Sequence, residues 1–467
     1  MAKVPDDVFF NTIGELSTRL KTKEFSAVEL ARVFCDRVEK LGPRYNALAL
    51  SLREDAMRQA RDVDQELKRE RYRGPLQGIP CGVKDLLSVA RHPTTWGAKP
   101  FAGQVFDYDA TVVKKLLGGR AVLVGKLSMV ELAGGGGYRL AGASLTGPGL
   151  NPWDRTRWSG GSSSGAGSAV AAGLVTFAIG SETSGSILTP SAFCGVTGLR
   201  PTYGLVSRYG AMALSWTMDK IGPMCRSAED CGIVLQVIAG KDMYDPASAG
   251  KSFYYAPQFA RKFSDLTLGF AASDFEGPVF RQALEALRGF GFKSRETELP
   301  DLPYAPVTGT IITAEGAAVF EELIASGKVD DLADPRQAAG LKAGLDIKAK
   351  DYLRAMRIRS QVQEAFRTIL SDVDVLVAPA RAGIASKISE PLDAPSPPSG
   401  PRGLRALIPA GNLAGLPALC LPCGFVDEMP VAIQLVGRPF SENTLLAIGK
   451  QFQSATDWHR RTPKVGS

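Results

Sequence analysis

Apolar residues recur at helical spacing in the N-terminal part of the chain. This spacing predicts one helix over residues 8–40 and another over residues 51–70. Within the first of these, Ser26 precedes a strongly periodic apolar run and fits an N-cap, while Gly42-Pro43 fits a helix end. The chain is therefore expected to begin with helices rather than strands.

Further along, short apolar runs alternate with helical patterns. Strands are predicted at 78–87 and 174–182, and residues 111–126 indicate a helix, a glycine turn and a buried strand. After residue 226 the strands are expected in LTLGFA, DVDVLVAPA, PALCLPCGF and PVAIQLVG, with a long helical region to about residue 370. Such alternation predicts an α/β fold with a mostly parallel or mixed central sheet.

Composition and charge exclude several functional classes. The chain has 467 residues, of which 45% are apolar, so a large core is expected. Lys and Arg number 55 against 48 Asp and Glu, and no basic run or basic-aromatic block indicates nucleic acid. The sequence shows neither a signal-peptide pattern nor an apolar run long enough to cross a bilayer. We therefore expect a cytoplasmic protein that contacts neither nucleic acid nor membrane.

Cysteine and histidine usage narrows the chemistry. The seven cysteines are odd in number and scattered, which argues against a disulfide framework. Cys420 and Cys423 form one CxxC without a second metal-binding pair, and their apolar neighbours predict a buried strand. There are only two histidines, His92 and His459, which excludes a His-rich metal site and disfavours a histidine-dependent triad. We expect no metal and no other cofactor.

The stretch SGGSSSGAGSAVAAG, residues 159–173, consists of Gly, Ala and Ser apart from Val170. A linker is disfavoured because the stretch runs directly into an apolar strand, and a phosphate loop because the Gly-Lys-Ser/Thr ending is missing. GSSSG at 161–165 matches the G-x-S-x-G nucleophile elbow, with His459 as a conceivable base, but polar residues precede it instead of a strand. The second half fits a closely packed helix that begins near Ser164.

A second stretch of small residues, 179–204, also follows a predicted strand. Ser186 lies there after residues whose backbone N–H groups can converge, and Lys84 lies within the apolar strand predicted at 78–87. A serine needs a base to become nucleophilic, and an amine that burial keeps neutral can be that base. Taken singly, such residues are more often structural; together with a bridging hydroxyl they offer a nucleophile and a base without histidine.

Long motifs follow one another along the chain: GPLQGIPCGVKD, DATVVKKLLGGRAVLVGKLSMVEL, NPWDRTRWSGGSSSGAGSAVAAGL, GSETSGSILTPSAFCGVTGLRPTYG and AGNLAGLPALCLPCGF. Together they resemble the amidase signature family, and the resemblance covers nearly the whole chain. It implies one large α/β/α domain over residues 1–467 with a mixed central sheet covered by helices. The catalytic core would lie at about 70–235, and residues 236–467 would complete the sheet and the substrate pocket.

The resemblance also implies a Ser–cis-Ser–Lys triad. By motif, Lys84 is the base, Ser162 is the bridging serine after a cis peptide bond, and Ser186 is the nucleophile. The amides expected to form the oxyanion hole are those of Thr183, Ser184, Gly185 and Ser186. Within this scheme the glycine-serine stretch is a scaffold for catalysis, because its glycines allow the turn and its small residues let a helix pack closely behind it.

Some residues depart from the family pattern. Glu182 and Leu188 stand where the family usually has Asp and Arg, so a different local polar network is expected. Ser184 replaces a glycine, which is compatible with an oxyanion hole if its backbone angles are ordinary. Gly136, in the loop ELAGGGGY, falls where relatives have bulkier substrate contacts, and a roomy substrate pocket is expected there.

The resemblance implies hydrolysis of C–N bonds in a small-molecule amide or carbamate through an acyl-serine, with aryl esters accessible by the same route. One alternative within the family is the A subunit of a tRNA-dependent amidotransferase, which releases ammonia from glutamine and works with B and C partners, ATP and charged tRNA. The segment AGLDIKAKDYLRAMRIRSQ and the C-terminal QSATDWHRRTP favour a stand-alone amidase. A non-catalytic scaffold is disfavoured by the intact triad, and the oligomeric state stays open.

Residues 381–405 form the one polar, proline-rich segment between predicted strands. Long loops in compact enzymes are often lids. We hypothesise that this loop partly covers the pocket and helps to set substrate size; the alternative is a surface connection without contact to the site.

Overall fold

The computed structural model describes residues 4–259, 261–392 and 403–465. Within these ranges eleven strands form one sheet. In chain order they are β1 (Leu48–Ser51), β2 (Pro80–Lys84), β3 (Val122–Leu127), β4 (Phe177–Glu182), β5 (Thr197–Arg200), β6 (Lys220–Cys225), β7 (Thr267–Phe270), β8 (Lys293–Glu296), β9 (Val375–Pro379), β10 (Ala418–Val426) and β11 (Met429–Gly437). Their spatial order is β1-β3-β2-β4-β6-β5-β10-β11-β9-β7-β8.

The sheet contains both parallel and antiparallel strand pairs. β2 lies between β3 and β4 and runs parallel to both. β4 then pairs antiparallel with β6, and β10 pairs antiparallel with β11. Every residue of β2, β3 and β4 is buried, because helices cover both faces of this part of the sheet. The predicted α/β architecture with a mixed central sheet covered by helices is confirmed.

Fourteen α-helices lie within the described ranges. They are α1 (Ile13–Lys21), α2 (Ala27–Leu41), α3 (Arg53–Lys68), α4 (Thr111–Gly118), α5 (Ser164–Ala171), α6 (Leu188–Cys194), α7 (Ala228–Ile238), α8 (Pro278–Arg288), α9 (Tyr304–Val319), α10 (Glu321–Ala325), α11 (Pro335–Gly344), α12 (Ala349–Asp372), α13 (Leu407–Leu413) and α14 (Glu442–Thr456). One cluster of buried apolar side chains extends from the N-terminal helices to α14.

The prediction of one helix over 8–40 is wrong, because two capping boxes divide the segment. Thr12 caps α1 with Glu15, and Ser26 caps α2 with Glu29. The Ser26 backbone is extended, with φ −83° and ψ 161°, so the helix cannot continue through it. Ser26 is therefore the N-cap that the sequence predicts, but of a second helix.

The sequence-based prediction also missed β1, β5, β6 and β8. β6 contains a glycine and a proline, and β8 has the sequence KSRE with every residue exposed. Neither segment carries the apolar run or alternation on which strand prediction depends. These strands owe their pairing to neighbours that are distant in the chain.

Helix α5 begins at Ser164, as predicted, and every residue in it is buried. Its glycines allow close approach to neighbouring backbone. A Cβ on Gly165 would lie 2.6 Å from the amide nitrogen of Ser128, and a Cβ on Gly167 would lie 2.9 Å from the Pro190 carbonyl oxygen. The small-residue run therefore lets α5 pack directly against the end of β3 and against α6.

Cys420 and Cys423 are buried in β10 as free thiols, which confirms the strand prediction for this CxxC. Burial raises the pKa of both thiols above the ordinary range.

Across the ranges that the structure describes, no helix combines the length and apolar character needed to cross a membrane.

Candidate active site

Three sequence-predicted residues lie at one edge of the sheet. Lys84 ends β2, Ser162 precedes α5, and Ser186 follows β4. Because β2 and β4 are parallel neighbours, their C-terminal ends lie side by side. The Lys84 Nζ is 2.7 Å from the Ser162 Oγ and 3.0 Å from the Ser181 Oγ. The fold therefore joins an amine to the hydroxyl of Ser162.

Lys84 is fully buried. Burial lowers its pKa to about 7, although the carboxylates of Asp219 and Glu182 pull in the opposite direction. A substantial fraction of the amine is therefore neutral near pH 7, and a neutral amine can accept a proton from a hydroxyl.

The segment before α5 holds Ser162 in position. The Gly161–Ser162 peptide bond is cis, and Gly160 has φ +87°. A Cβ on Gly160 would lie 2.7 Å from the Pro190 Cα, and a Cβ on Gly161 would lie 2.7 Å from the Trp158 ring, so neither position has room for a side chain. The Ser162 carbonyl accepts a hydrogen bond of 3.1 Å from the Val130 amide.

Ser186 lies beside this segment and is partly exposed. The Ser163 amide donates a 3.3 Å hydrogen bond to the Ser186 carbonyl, which ties the two serine-bearing turns together. No hydrogen bond joins the Ser162 and Ser186 hydroxyls in the described part of the chain. The structure thus brings the two serines into neighbouring turns but pairs the Ser162 hydroxyl with Lys84 alone.

The turn between β4 and α6 presents backbone amides. Gly185 has φ +93°, whereas Ser184 has no positive φ, so the serine in place of a family glycine is unstrained. In the ranges described, the amides of Ser184, Gly185 and Ser186 meet no acceptor of the protein. The Thr183 hydroxyl donates to the Asp219 carboxylate over 2.6 Å. Three adjacent amides are therefore free to bind an anion at this turn.

Glu182 supports the same turn from inside the protein. Its Oε2 accepts hydrogen bonds from the amides of Ile187 (2.9 Å) and Leu188 (3.0 Å). Its Oε1 accepts from Arg200 (2.9 Å) and Asn412 (2.8 Å). Burial by itself would raise the pKa of Glu182, but Arg200 and these hydrogen bonds hold it below its usual range. The charged carboxylate thus anchors the start of α6.

This network surrounds the two residues that depart from the family pattern. Leu188 is fully buried in an apolar cluster with Ala192 and Leu407. The guanidinium that neutralises Glu182 comes from Arg200 in β5, and both side chains are fully buried. The sequence offers one signal for this pair, since a charged residue at the end of an otherwise uncharged strand indicates a buried partner.

Replacing Glu182 with alanine is expected to destabilise the fold. The change leaves the Arg200 guanidinium buried without its counter-charge, a loss of about 3–5 kcal/mol for a buried pair. Urea unfolding measures the free-energy difference. The matched control is Glu24→Ala, which breaks an exposed pair with Arg19 and should cost less than about 1 kcal/mol. Equal losses in the two variants would contradict the role given to Glu182.

The expectation of a roomy pocket at Gly136 is wrong. A Cβ at this position, where φ is +82°, would clash with the Gln337 carbonyl oxygen and lie 2.7 Å from the Leu341 amide nitrogen. Gly136 therefore packs against the backbone of α11. The missing side chain allows the helix to approach and does not enlarge the space for a substrate.

The serine and histidine of the nucleophile-elbow alternative do not come together. The Ser163 hydroxyl donates a 3.2 Å hydrogen bond to the backbone carbonyl of Ser181, which lies in β4. His459 lies instead in a groove with Glu15 and Lys450, and its carbonyl accepts a hydrogen bond of 3.1 Å from Arg226. The serine and the histidine thus serve different parts of the fold.

Only part of the loop at 381–405 belongs to the described structure. The Trp158 amide donates to the Ser386 carbonyl, and the Ile388 amide donates to the Thr156 carbonyl, each over 2.9 Å. Residues 384–388 therefore lie along the segment that leads to Ser162. The prolines from 395 to 401 lie outside the described residues, and the hypothesis that the loop covers the pocket stays a prediction.

Sequence reasoning missed Ser181, Asp219, Arg200 and Asn412, which complete the surroundings of the predicted residues. The Asp219 carboxylate accepts hydrogen bonds from Thr183 and from the amides of Leu214 and Ser215. Burial raises the pKa of Asp219.

In the described part of the molecule, no group of three His, Cys, Asp or Glu side chains is arranged to hold a metal ion.

Comparisons with known proteins identify the family. The model of the Amidase family matches residues 29–446. The chain is 36% identical to the A subunit of the glutamyl-tRNA(Gln) amidotransferase of Moorella thermoacetica, across 98% of this chain and 99% of that protein. It is 34% identical to the corresponding protein of Carboxydothermus hydrogenoformans, across 98% and 100%. The native peptide amidase of Stenotrophomonas maltophilia superimposes with a TM-score of 0.83 at 30% identity, covering 98% of this chain and 99% of that one. The chain therefore belongs to the amidase signature family.

Proposed function

We propose that this enzyme hydrolyses the C–N bond of an amide through an acyl intermediate on Ser186. The observation that carries the proposal is the 2.7 Å hydrogen bond between the buried Lys84 amine and the Ser162 hydroxyl. With the pKa of Lys84 lowered to about 7, this pair can take up a proton at neutral pH. The base is thus a lysine, and no histidine is required.

In the first half-reaction the Ser186 Oγ attacks the carbonyl carbon, and the carbonyl π electrons move to oxygen. The Ser186 proton passes to Ser162 as the Ser162 proton passes to Lys84. Substrate binding must bring the two serine hydroxyls into hydrogen-bond contact for this transfer. The tetrahedral intermediate then collapses and the C–N bond breaks. The leaving nitrogen takes a proton from the Ser162 hydroxyl, and Lys84 returns a proton to Ser162.

In the second half-reaction water attacks the acyl-serine ester. The same Ser162–Lys84 pair takes the water proton, and collapse returns a proton to Ser186 as the carboxylic acid leaves. The oxyanion of each step would be bound by the amides from Thr183 to Ser186. Such a donor commonly lowers the barrier by about 2.7–4 kcal/mol. The same steps apply to carbamates, and to aryl esters if the C–O bond breaks and the leaving oxygen takes the proton in place of nitrogen.

A second candidate is glutamine hydrolysis as the A subunit of a tRNA-dependent amidotransferase. The name of the Moorella thermoacetica relative supports it, at 36% identity over 98% of this chain. By name the curated relatives favour this function over a stand-alone amidase, whereas the peptide amidase of Stenotrophomonas maltophilia supports the stand-alone function at 30% identity. In both, the acyl-serine chemistry is the same, and only the substrate and the partners differ.

A substrate panel tests the proposal. The purified chain alone is expected to release amine or ammonia from at least one of acetamide, benzamide, acetanilide and glutamine, with one of the first three preferred over glutamine. Glutamine hydrolysis that rises strongly when the B and C partners of an amidotransferase are added would assign the second function. If neither the lone chain nor the assembled complex cleaves any of these amides, the proposed function is wrong.

A further inference from the structure

A cavity of about 190 Å³ is linked to the Lys84–Ser162 pair through Ser181, which lines the cavity and accepts a hydrogen bond from Lys84. Ser181, in β4, and Thr183, directly after β4, belong to its lining. Apolar side chains make up much of the rest, among them Leu86, Met212 and Ile221. The cavity is thus a largely apolar space next to the proton-transfer residues.

The position of the cavity indicates that it would bind the leaving group of the substrate. Ser181, one of the lining residues, accepts the second hydrogen bond of Lys84 through its hydroxyl, at 3.0 Å. In the proposed mechanism the leaving nitrogen takes its proton from Ser162, which Lys84 reprotonates. The leaving group must therefore lie on the side of the scissile bond that faces Ser162 and Lys84. In that arrangement the substituent on the leaving nitrogen would face this cavity.

The charged groups of the cavity wall already have partners within the protein. Arg208 pairs with Asp245 over 3.1 Å, and this partner holds the pKa of Asp245 below its usual range. Asp219 accepts hydrogen bonds from Thr183 and from the amides of Leu214 and Ser215. Because these side chains already have partners, the wall favours a neutral leaving group.

Aromatic rings stand at the rim of the cavity. Tyr209 and Tyr244 line it and contact each other, with ring centroids 5.1 Å apart. Trp216 also lines it and is 44% exposed. Aromatic side chains bind other rings by offset or edge-to-face contacts worth about 0.5–1.5 kcal/mol beyond burial. Apolar walls and an aromatic rim together suit a flat, neutral ring.

The volume sets the size of that ring. An apolar cavity of about 150 Å³ accommodates benzene, and this one measures about 190 Å³. We infer that the cavity binds a single aromatic ring on the leaving nitrogen, so that the substrate is an N-aryl amide, with Trp216 as a specificity-determining residue. This inference rests on the proposed amide hydrolysis, and it separates the chain from a glutaminase, whose leaving group is ammonia.

Two amides that carry one ring on opposite sides of the C–N bond test the inference. Acetanilide carries its ring on nitrogen, and benzamide carries it on the acyl carbon. The Trp216→Ala variant is expected to lower the acetanilide-to-benzamide ratio of kcat/KM about tenfold relative to the wild type. The matched control is Tyr254→Ala, an aromatic residue that is 75% exposed and does not line the cavity; its ratio should equal that of the wild type. An unchanged ratio in Trp216→Ala overturns the inference.

A binding measurement separates this inference from the proposed function. Calorimetric titration of acetanilide into Ser186→Ala should give a Kd that increases about tenfold in Ser186→Ala/Trp216→Ala. Equal Kd values, with amide turnover by the wild type intact, overturn the ring site alone. Absence of any wild-type turnover, with the Kd difference present, overturns the hydrolytic function alone. Circular dichroism confirms that each variant is folded.

Discussion

Replacing Ser186 with alanine is expected to lower kcat for amide hydrolysis by more than about 10⁴-fold, because the acyl group then has no oxygen to bond to. The fold should survive, since Ser186 is partly exposed and its hydroxyl makes no hydrogen bond to any described residue. The measurement is single-turnover release of aniline from acetanilide, or of ammonia from whichever amide proves the better substrate, with thermal unfolding as the check on folding.

Covalent labelling locates the nucleophile independently of turnover. A serine-directed phosphonate should modify the wild type on Ser186, identified by mass spectrometry of the labelled peptide, and should leave Ser186→Ala unlabelled. The control is Ser163→Ala, which removes the middle serine of the GSSSG motif and should still be labelled on Ser186. A label found on Ser163, or amide turnover by Ser186→Ala near the wild-type rate, would contradict the assignment of the nucleophile.

Replacing Lys84 with methionine is expected to reduce kcat/KM by more than about 10³-fold, because neither serine then has a base. In the wild type, kcat/KM should fall as pH decreases through about 7, the value to which burial lowers the pKa of Lys84. Protonated lysine cannot accept a proton, so activity is lost on the acid side. The measurement is the pH profile of kcat/KM for an amide between pH 5 and 9.

Lys115→Met is the control for this variant. Lys115 also has a pKa lowered by burial, but it bonds the Ala239 carbonyl over 2.8 Å, away from the site. Its pH profile should match that of the wild type. Lys84 would not be the base if kcat/KM of Lys84→Met equalled that of the wild type. The same conclusion would follow if the residual kcat/KM of Lys84→Met still fell below about pH 7 as it does in the wild type.

The same lysine affects stability in a way that activity cannot report. The pKa of Lys84 is about 7 in the fold, below its ordinary value of 10.5. Between these values the unfolded chain binds more protons than the folded one, so the lysine opposes folding less and less as pH rises. The free energy of unfolding of the wild type, minus that of Lys84→Met, should therefore increase from pH 7 towards pH 10. A constant difference over this interval would contradict the lowered pKa.

Sequence alone determined the elements whose signals are local. Thr111–Gly118 and Val122–Leu127 form the predicted helix and strand, and α5 begins at Ser164 as its small residues indicate. The order of the motifs was sufficient to recognise the family and to select Lys84, Ser162 and Ser186 as candidates. These features depend on the periodicity, capping and turn chemistry of neighbouring residues, which a linear sequence displays directly.

Tertiary structure decided whatever depends on a partner far away in the chain. Asn412 reaches Glu182 across 230 residues, and no local pattern links them. Gly136 suggests open space in the sequence, yet α11 fills that space. The lowered pKa of Lys84 arises from complete burial against the end of β4, which the composition of its own strand does not specify. Burial and charge pairing are properties of the packed interior, because they depend on which distant groups exclude water from a side chain and which ones neutralise it.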